Sequence, residues 1–285
     1  MGFPRVEQLV EQLLSLFERW SYVDTARDLR KLFSQWKKER ERLYAAGQQR
    51  DEFVKWFDSI RTYTLLPEFC KLRGQRGVTE DIYREVDDMF AGLAHKANRN
   101  EISGAFGKII PFDALSETES KLHVLFETQK GLTDVCRFYI LCFAYMIAME
   151  GYYDELIRFV YGVRHFISTS EVLEPDSLKY KPVNEMYPAL EIHSANIASI
   201  WDTGHHVRNA IAHARFTYID KERSMRFVDL DPQKGNVKFD ITLTFVEVDR
   251  MYGTISNLGE VMKILLNLWF TFNLLTIPPE RIALV

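Results

Sequence analysis

A ten-residue segment in the second half of the chain, GHHVRNAIAH at residues 204–213, carries side chains suited to phosphodiester chemistry. On an α-helix each residue advances about 100°, so His206, Asn209 and His213 line one face. Arg208 then points about a third of a turn to the side. An imidazole moves protons near neutral pH, and a guanidinium forks onto phosphate oxygens. The segment therefore indicates proton transfer beside a bound phosphate.

Two further sets of residues are candidates to support this chemistry. Asn209 precedes His213 by four residues, so on a helix its amide can hydrogen-bond the imidazole and fix the tautomer. His206 is a candidate substrate-binding residue because it shares their face. Arg215 and Arg226 follow the helix closely and are candidate substrate-binding residues that would widen a groove for phosphates.

The histidines and cysteines do not form a recognisable metal site. His205 and His206 are adjacent, but neighbouring positions on a helix diverge by about 100° and rarely chelate one ion together. No cluster of Asp, Glu or Cys completes a site, and the three cysteines lack CxxC spacing. The sequence therefore predicts no metal, no cofactor and free thiols in a reducing cytosol.

The composition is that of an ordinary globular protein, with 47% hydrophobic and 27% charged residues in 285. Only 14 glycines and 9 prolines interrupt the chain, which favours long packed helices. The formal net charge is −4, so no overall positive charge attracts nucleic acid. Any contact with nucleic-acid phosphates must then come from a local basic patch.

Residues 1–112 are predicted to form an N-terminal helical region. Apolar residues within 6–17 recur at spacings of three and four, which gives one apolar stripe. Thr79, followed by two acidic residues, opens a helix that is expected to end near Lys96. The stretch 98–113 is richer in glycine and marks the boundary of this region.

Residues 113–285 are predicted to form a helical bundle. Thr133 caps a helix that is apolar nearly all round and so belongs in the middle of the bundle. This helix is expected to end at Glu150-Gly151, where a return helix begins. A proline-bearing loop over 168–188 then leads to a long helix from about 189 to 213, which carries the GHHVRNAIAH segment.

After that helix the pattern changes to short β-rich stretches at 215–219, 225–230 and 237–245. In the third, every second residue is apolar, as on one face of a strand. A final helix over about 248–275 closes the bundle. The predicted fold class is mainly α: a helical bundle with a small β-hairpin insertion before the last helix, preceded by the N-terminal helical region.

The chain shows no sign of membrane insertion or secretion. Charged residues follow Met1 within a few positions, unlike a signal peptide. The apolar runs 138–149 and 264–277 are short of the roughly 20 residues that a membrane-spanning helix needs. We therefore expect a soluble, cytoplasmic protein with no membrane partner.

The pair Arg208-Asn209, followed after three residues by His213, resembles the RNxxxxH-type signature of the HEPN superfamily. In that signature an Arg and a polar residue precede a His, with four to six residues between the Arg and the His. The context is also similar, since in the family an apolar helix pair precedes the motif helix and some branches insert a β-hairpin before the last helix. The segment from Ser116 to Leu275 follows that order.

This resemblance implies a metal-independent endoribonuclease, working as a homodimer in which two copies of the motif meet at a two-fold axis. The RNA 2′-hydroxyl would attack the adjacent phosphorus and leave a cyclic phosphate and a free 5′-hydroxyl. Arg208 would clamp the phosphate, His213 would transfer a proton as acid or as base, and Asn209 would be the polar orienter. Such proteins often serve as toxins or antiviral defence effectors, some beside an antitoxin or another regulatory protein.

Two other functions are compatible with the same sequence, because fold does not determine function. The first is a non-catalytic RNA- or nucleotide-binding module in which the Arg and the His only hold a phosphate. The second is a helical scaffold partner of a toxin–antitoxin pair. Replacing His213 by Ala separates the first from a nuclease, because cleavage is then lost while binding survives.

Overall fold

The computed structural model describes residues 79–96, 131–174, 177, 178 and 180–276, with isolated residues between 11 and 124. Its helices are α1 (Glu80–Lys96), α2 (Asp134–Ala148), α3 (Asp154–Thr169), α4 (Val183–His193), α5 (Ala195–Ala212) and α6 (Phe245–Thr276). Three strands, β1 (Phe216–Ile219), β2 (Ser224–Leu230) and β3 (Val237–Thr244), lie between α5 and α6. The protein is therefore mainly α, with a small sheet before the last helix, as the sequence predicts.

The described residues that precede α1 are helical except Thr79, the residue that caps α1. Three of the helical ones join the same buried core as the rest of the chain: Leu14, Ala26 and Leu66. Most of the predicted stripe at 6–17 and the whole stretch 98–113 lie outside the described residues. Both predicted N-caps are confirmed: Thr79 Oγ1 accepts a hydrogen bond from Ile82 N (3.3 Å), and Thr133 Oγ1 accepts one from Cys136 N (3.4 Å).

Helices α2 and α3 form one continuous helix, joined by a π-helical segment at Met149–Tyr153. The predicted helix end at Glu150-Gly151 is therefore wrong, because the backbone at both ends of the π segment stays in the right-handed helical region. Gly151 lowers the local helix propensity. The neighbouring Tyr152 and Tyr153 are buried in the bundle, and this packing outweighs the local cost.

This continuous helix, Asp134–Thr169, is the one helix among the described residues that is long and apolar enough to cross a membrane by length and composition. The helix is longer than the apolar run 138–149 considered in the sequence analysis, because it continues past residue 150. Its buried side chains, such as Phe138, Tyr145 and Leu156, belong to the common core, and it packs against α1, α5 and α6. A helix in the middle of a helical bundle has the same apolar character as a helix that crosses a membrane.

Two helices stand where the sequence predicts one long helix from about residue 189. α4 already begins at Val183 and carries Pro188 within it, and the chain leaves helical geometry at Ser194 (φ −152°, ψ 49°). The Glu85 carboxylate of α1 accepts hydrogen bonds from Asn196 N (2.8 Å) and Ile197 N (3.0 Å). A distant residue thus satisfies the free amides at the start of α5 and makes the break possible.

The three strands form an antiparallel sheet in the order β1-β2-β3, which confirms the predicted β-rich stretches. Along β2, Met225 and Phe227 are buried while Arg226 between them is exposed, so one face of the sheet packs on the helices. The register of β2 with β3 is irregular after Asp229, which pairs with Phe239, whereas the next residue pairs with Val237. A bulge of this kind turns a side chain away from the regular alternation.

Candidate catalytic site on helix α5

The second half of α5 carries the predicted residues, and β2 packs beside it. His206, Arg208 and Asn209 are partly buried there. His213 is exposed and forms the C-cap of the helix, with φ −97° and ψ 13°. The structure thus joins His206 and Asn209 to β2, joins Arg208 to Asn209, and leaves His213 exposed at the end of the helix.

Asp229 of β2, which the sequence analysis missed, is the centre of the polar contacts. Its residue is 4% exposed, and its Oδ2 accepts hydrogen bonds from His206 Nδ1 (2.8 Å) and Asn209 Nδ2 (3.2 Å). Burial acts to raise the pKa of Asp229, but these hydrogen bonds hold that pKa below its ordinary value. Asp229 is therefore ionised near neutral pH, and His206 Nδ1 carries the proton that it donates.

A signal for Asp229 is present in the sequence of β2. The strand alternates, so Met225, Phe227 and Asp229 share one face, and two of these three are large and apolar. A carboxylate at a position that faces the core needs a hydrogen-bonding partner there. The alternation therefore marks Asp229 as a carboxylate that needs a buried partner, and the packing of α5 on this face identifies that partner.

Aromatic packing holds the His206 imidazole in place. Phe239 of β3 stacks on it, with ring centroids 4.7 Å apart and planes 10° apart. The His205 ring lies 3.8 Å away, closer than the divergence of adjacent helix positions predicts. The two rings lie this close because the Nδ1 of each is hydrogen-bonded. His206 Nδ1 bonds to Asp229, and His205 Nδ1 bonds to the Trp201 carbonyl oxygen (2.6 Å).

His205 itself contributes little positive charge to this site. Its ring stacks on Trp201 at 5.1 Å, inside the bundle. Burial lowers the pKa of His205, and the positive charge of Arg208 acts in the same direction. His205 is therefore neutral at physiological pH, and it serves as a packing surface for His206.

The Arg208 guanidinium has unused hydrogen-bonding capacity. Its side chain is 25% exposed, and Nη1 donates a hydrogen bond to Asn209 Oδ1 (3.0 Å). Its Nε is a buried atom that lies 3.7 Å from Glu150 Oε1 and makes no hydrogen bond to the described residues. A guanidinium has five N–H donors in a fork that fits phosphate oxygens. Arg208 is therefore available to bind an anion.

The π segment brings acidic groups to Arg208. Glu150 lies within it and Asp154 follows it directly. Burial raises the pKa of Asp154 to about 6, against the opposing effects of Arg158 and Arg208. Asp154 Oδ1 has no hydrogen-bond partner among the described residues. π segments often occur at functional sites, and this one places the Glu150 carboxylate beside the guanidinium.

The expected hydrogen bond between Asn209 and the His213 ring is wrong. The Asn209 amide instead joins Arg208 to Asp229, accepting from the first and donating to the second. One reason is that the ionised carboxylate is a stronger acceptor than an imidazole. Another is that α5 ends at Ala212, so His213 no longer follows the helical spacing that would place it over Asn209.

The two arginines predicted to bind substrate lie elsewhere. Arg226 is on the outer face of the sheet, where its Nε donates to Asp240 Oδ1 (2.8 Å). The guanidinium of Arg226, which the sequence predicts to bind substrate, is thus already paired with a carboxylate. It also lies on the face of the sheet opposite Asp229. Arg215 is the third residue after the end of α5, and its carbonyl oxygen accepts a hydrogen bond from Val228 N (3.0 Å). Its partly buried side chain has no partner among the described residues, so Arg215 stays a candidate for a second phosphate.

In the part of the chain that the structure describes, no group of three His, Cys, Asp or Glu residues is placed to hold a metal ion. The polar contacts of the site form a hydrogen-bonded chain of four side chains that runs Arg208–Asn209–Asp229–His206. Comparison of the chain with protein-family models, with characterised proteins and with solved structures finds no match.

Proposed function

We propose that this protein is a metal-independent endoribonuclease that cleaves RNA by attack of the 2′-hydroxyl on the adjacent phosphorus. One observation carries the proposal. A guanidinium with unused donors is connected through Asn209 and Asp229 to an imidazole held in a fixed orientation. A phosphate clamp and a positioned proton-transfer group are the two components that phosphodiester cleavage requires when no metal ion takes part.

We assign the roles of Arg208 and His213 from the HEPN resemblance, and the contacts support the role of Asn209. Arg208 binds the non-bridging oxygens of the scissile phosphate and stabilises the charge that accumulates there. Asn209 orients the guanidinium of Arg208 rather than the ring of His213. His213 is exposed at the end of α5 and transfers a proton to or from the reacting oxygens. The products are a cyclic phosphate and a free 5′-hydroxyl.

The partners and the setting come from the HEPN resemblance. We infer a homodimer in which two α5 motifs face each other and form one composite cleft for RNA. In the cytoplasm such an enzyme would act as a toxin or an antiviral defence effector, restrained by an antitoxin or another regulatory protein. Sedimentation of the purified protein tests the dimer, independently of its activity.

The proposal predicts that the protein cleaves RNA in EDTA and that His213→Ala does not. Purified wild-type protein and the variant are incubated with total RNA and with tRNA, and the products are separated on a denaturing gel. End-group analysis is expected to find cyclic phosphates and 5′-hydroxyls for the wild type. The loss in the variant is expected to be about 10²- to 10⁴-fold, as for other acid–base groups.

The same experiment distinguishes the alternatives. If both proteins bind labelled RNA and neither cuts it, the chain is a non-catalytic RNA-binding module. If neither protein binds RNA, the scaffold function is favoured, and a protein that co-purifies with the chain should carry the activity. Fragments that disappear when EDTA is added contradict the metal-independent mechanism.

Glu150 is expected to weaken the binding of RNA. Its half-exposed carboxylate lies 3.7 Å from Arg208 Nε, so it competes with a phosphate for the guanidinium. An exposed ion pair is worth about 1 kcal/mol or less, so Glu150→Gln should raise RNA affinity about two- to five-fold. The gain should shrink as salt rises, because salt screens the competing charge. Fluorescence anisotropy with labelled RNA at several salt concentrations measures both effects.

Glu155→Gln is the matched control. Glu155 lies one turn further along the same helix, but its carboxylate pairs with Arg158 (3.4 Å) instead of Arg208. Its removal changes the net charge equally and leaves the Arg208 ion pair intact. Equal gains in the two variants would mean that overall charge, and not competition at Arg208, controls the affinity.

A further inference from the structure

We infer that His206 is the general base of the proposed cleavage and that Asp229 is the residue that positions it. The inference rests on the proposed endoribonuclease function and identifies the proton acceptor of that site. The helix-face pattern of the sequence marked His206 only as a substrate-binding residue, and it left the acid or base role of His213 open.

The contacts of His206 fix its ring in the orientation that a general base needs. Its Nδ1 donates to the buried Asp229 carboxylate (2.8 Å), which leaves Nε2 as the nitrogen that accepts a proton. Phe239 stacks on the ring and fixes its plane. When Nε2 takes up a proton, the imidazole becomes positive, and the adjacent carboxylate stabilises that charge. The side chain is partly exposed, so a ribose can approach it.

Three elements place side chains around His206. Asp229 of β2 is the closest, and β3 contributes the uncharged Phe239. On α5 itself, His205 is kept neutral by burial, and Arg208 is positive. The carboxylates of the π segment, Glu150 and Asp154, act on Arg208. Asp229 is therefore the group whose removal should change the proton affinity of the imidazole most directly.

The two histidines divide the proton transfers between them. His213 lies at the C-terminal end of α5, seven residues beyond His206 along the chain. His206 Nε2 takes the proton of the 2′-hydroxyl as the bond from O2′ to phosphorus forms. His213 gives a proton to the 5′-oxygen as its bond to phosphorus breaks. The products are a 2′,3′-cyclic phosphate and a 5′-hydroxyl, and no other reactant is needed.

The pH profile tests the role of Asp229. A general base accepts a proton only in its neutral form, so wild-type kcat/KM should fall on the acid side of the pH profile. Asp229→Asn removes the negative charge beside the imidazole, so this acid limb should move to lower pH, and the rate at its plateau should fall. Asp229→Glu should partly restore both. Asp240→Asn, on the outer face of the sheet, should leave the profile unchanged. A uniform loss of rate with no shift in Asp229→Asn would overturn the inference.

A modified substrate separates the base from the acid. In an oligoribonucleotide with sulfur in place of the bridging 5′-oxygen at one linkage, the leaving group departs without a proton. This substrate should restore cleavage by His213→Ala to near the wild-type rate on the same substrate, whereas His206→Ala and His206→Gln should stay at least 100-fold slower. Rescue of the His206 variants instead would overturn the assignment.

Failure of this inference is distinct from failure of the proposed function. If wild-type protein leaves both the normal and the sulfur-containing RNA intact in EDTA, the endoribonuclease function itself fails. If the wild type cleaves both and the His206 variants cleave the normal RNA at the wild-type rate, only the assignment of the base is overturned.

Discussion

Arg208→Ala is expected to reduce RNA cleavage about 10³-fold or more. The guanidinium stabilises charge that develops on the phosphate during the reaction, and this charge is greatest in the transition state. The Arg208 side chain lies in a partly buried setting, where an electrostatic interaction is stronger than in water. The loss should therefore appear in kcat as well as in kcat/KM.

Single-turnover cleavage of a labelled RNA in EDTA measures this effect. Arg208→Lys keeps the positive charge but loses the fork, so its activity should be intermediate. Arg84→Ala is the control, because Arg84 is an exposed guanidinium on α1 that pairs with Glu80 one turn away. It should cut at the wild-type rate. An Arg208→Ala enzyme within ten-fold of the wild type, with an unchanged melting temperature, would show that Arg208 does not clamp the phosphate.

Local pattern was enough to predict the elements that lie next to the site. The alternation in 237–245 predicts β3, and the capping residues Thr79 and Thr133 mark the starts of α1 and α2. The apolar character of the helix after Thr133 predicts its place in the core. In each case the signal lies within a few neighbouring residues, where helical and strand periodicity is expressed.

Contacts between distant residues decided what the sequence did not predict. The dipeptide Glu150-Gly151 indicates a turn by local propensity, yet buried tyrosines next to it keep the helix continuous. Glu85 caps α5 from another helix. Asp229 is 20 residues from Asn209 in the chain, so helical spacing within α5 could not show that it captures the amide. Pattern within one element cannot reveal a partner that belongs to another.

Gly259→Ala is expected to destabilise the protein by about 2 kcal/mol or more. Gly259 lies in α6, and a Cβ added there would overlap the ring of Tyr152 in the π segment. Tyr152 is buried, so its ring cannot swing into solvent without opening a cavity. Helix α6 must then move away from the π segment. The melting temperature should fall by about 5 °C or more.

Gly92→Ala is the control for helix propensity. Gly92 is also a helical glycine, but a Cβ there would meet only the flexible Ile167 side chain, at 3.3 Å. Alanine favours a helix by up to about 1 kcal/mol over glycine, so this variant should be neutral or slightly more stable. If Gly259→Ala proved as stable as Gly92→Ala, close contact between α6 and the π segment would be contradicted.

A compensating replacement links this contact to the site. In the double variant Gly259→Ala with Tyr152→Leu, the ring tip is absent, so the new methyl group should cost much less than in the wild-type background. A double-mutant cycle should therefore give a coupling energy of about 1 kcal/mol or more, whereas additive losses would show that the two residues do not meet. Tyr152 lies two residues from Glu150, which faces Arg208. A displaced π segment should thus also change RNA affinity, even at temperatures where Gly259→Ala remains folded.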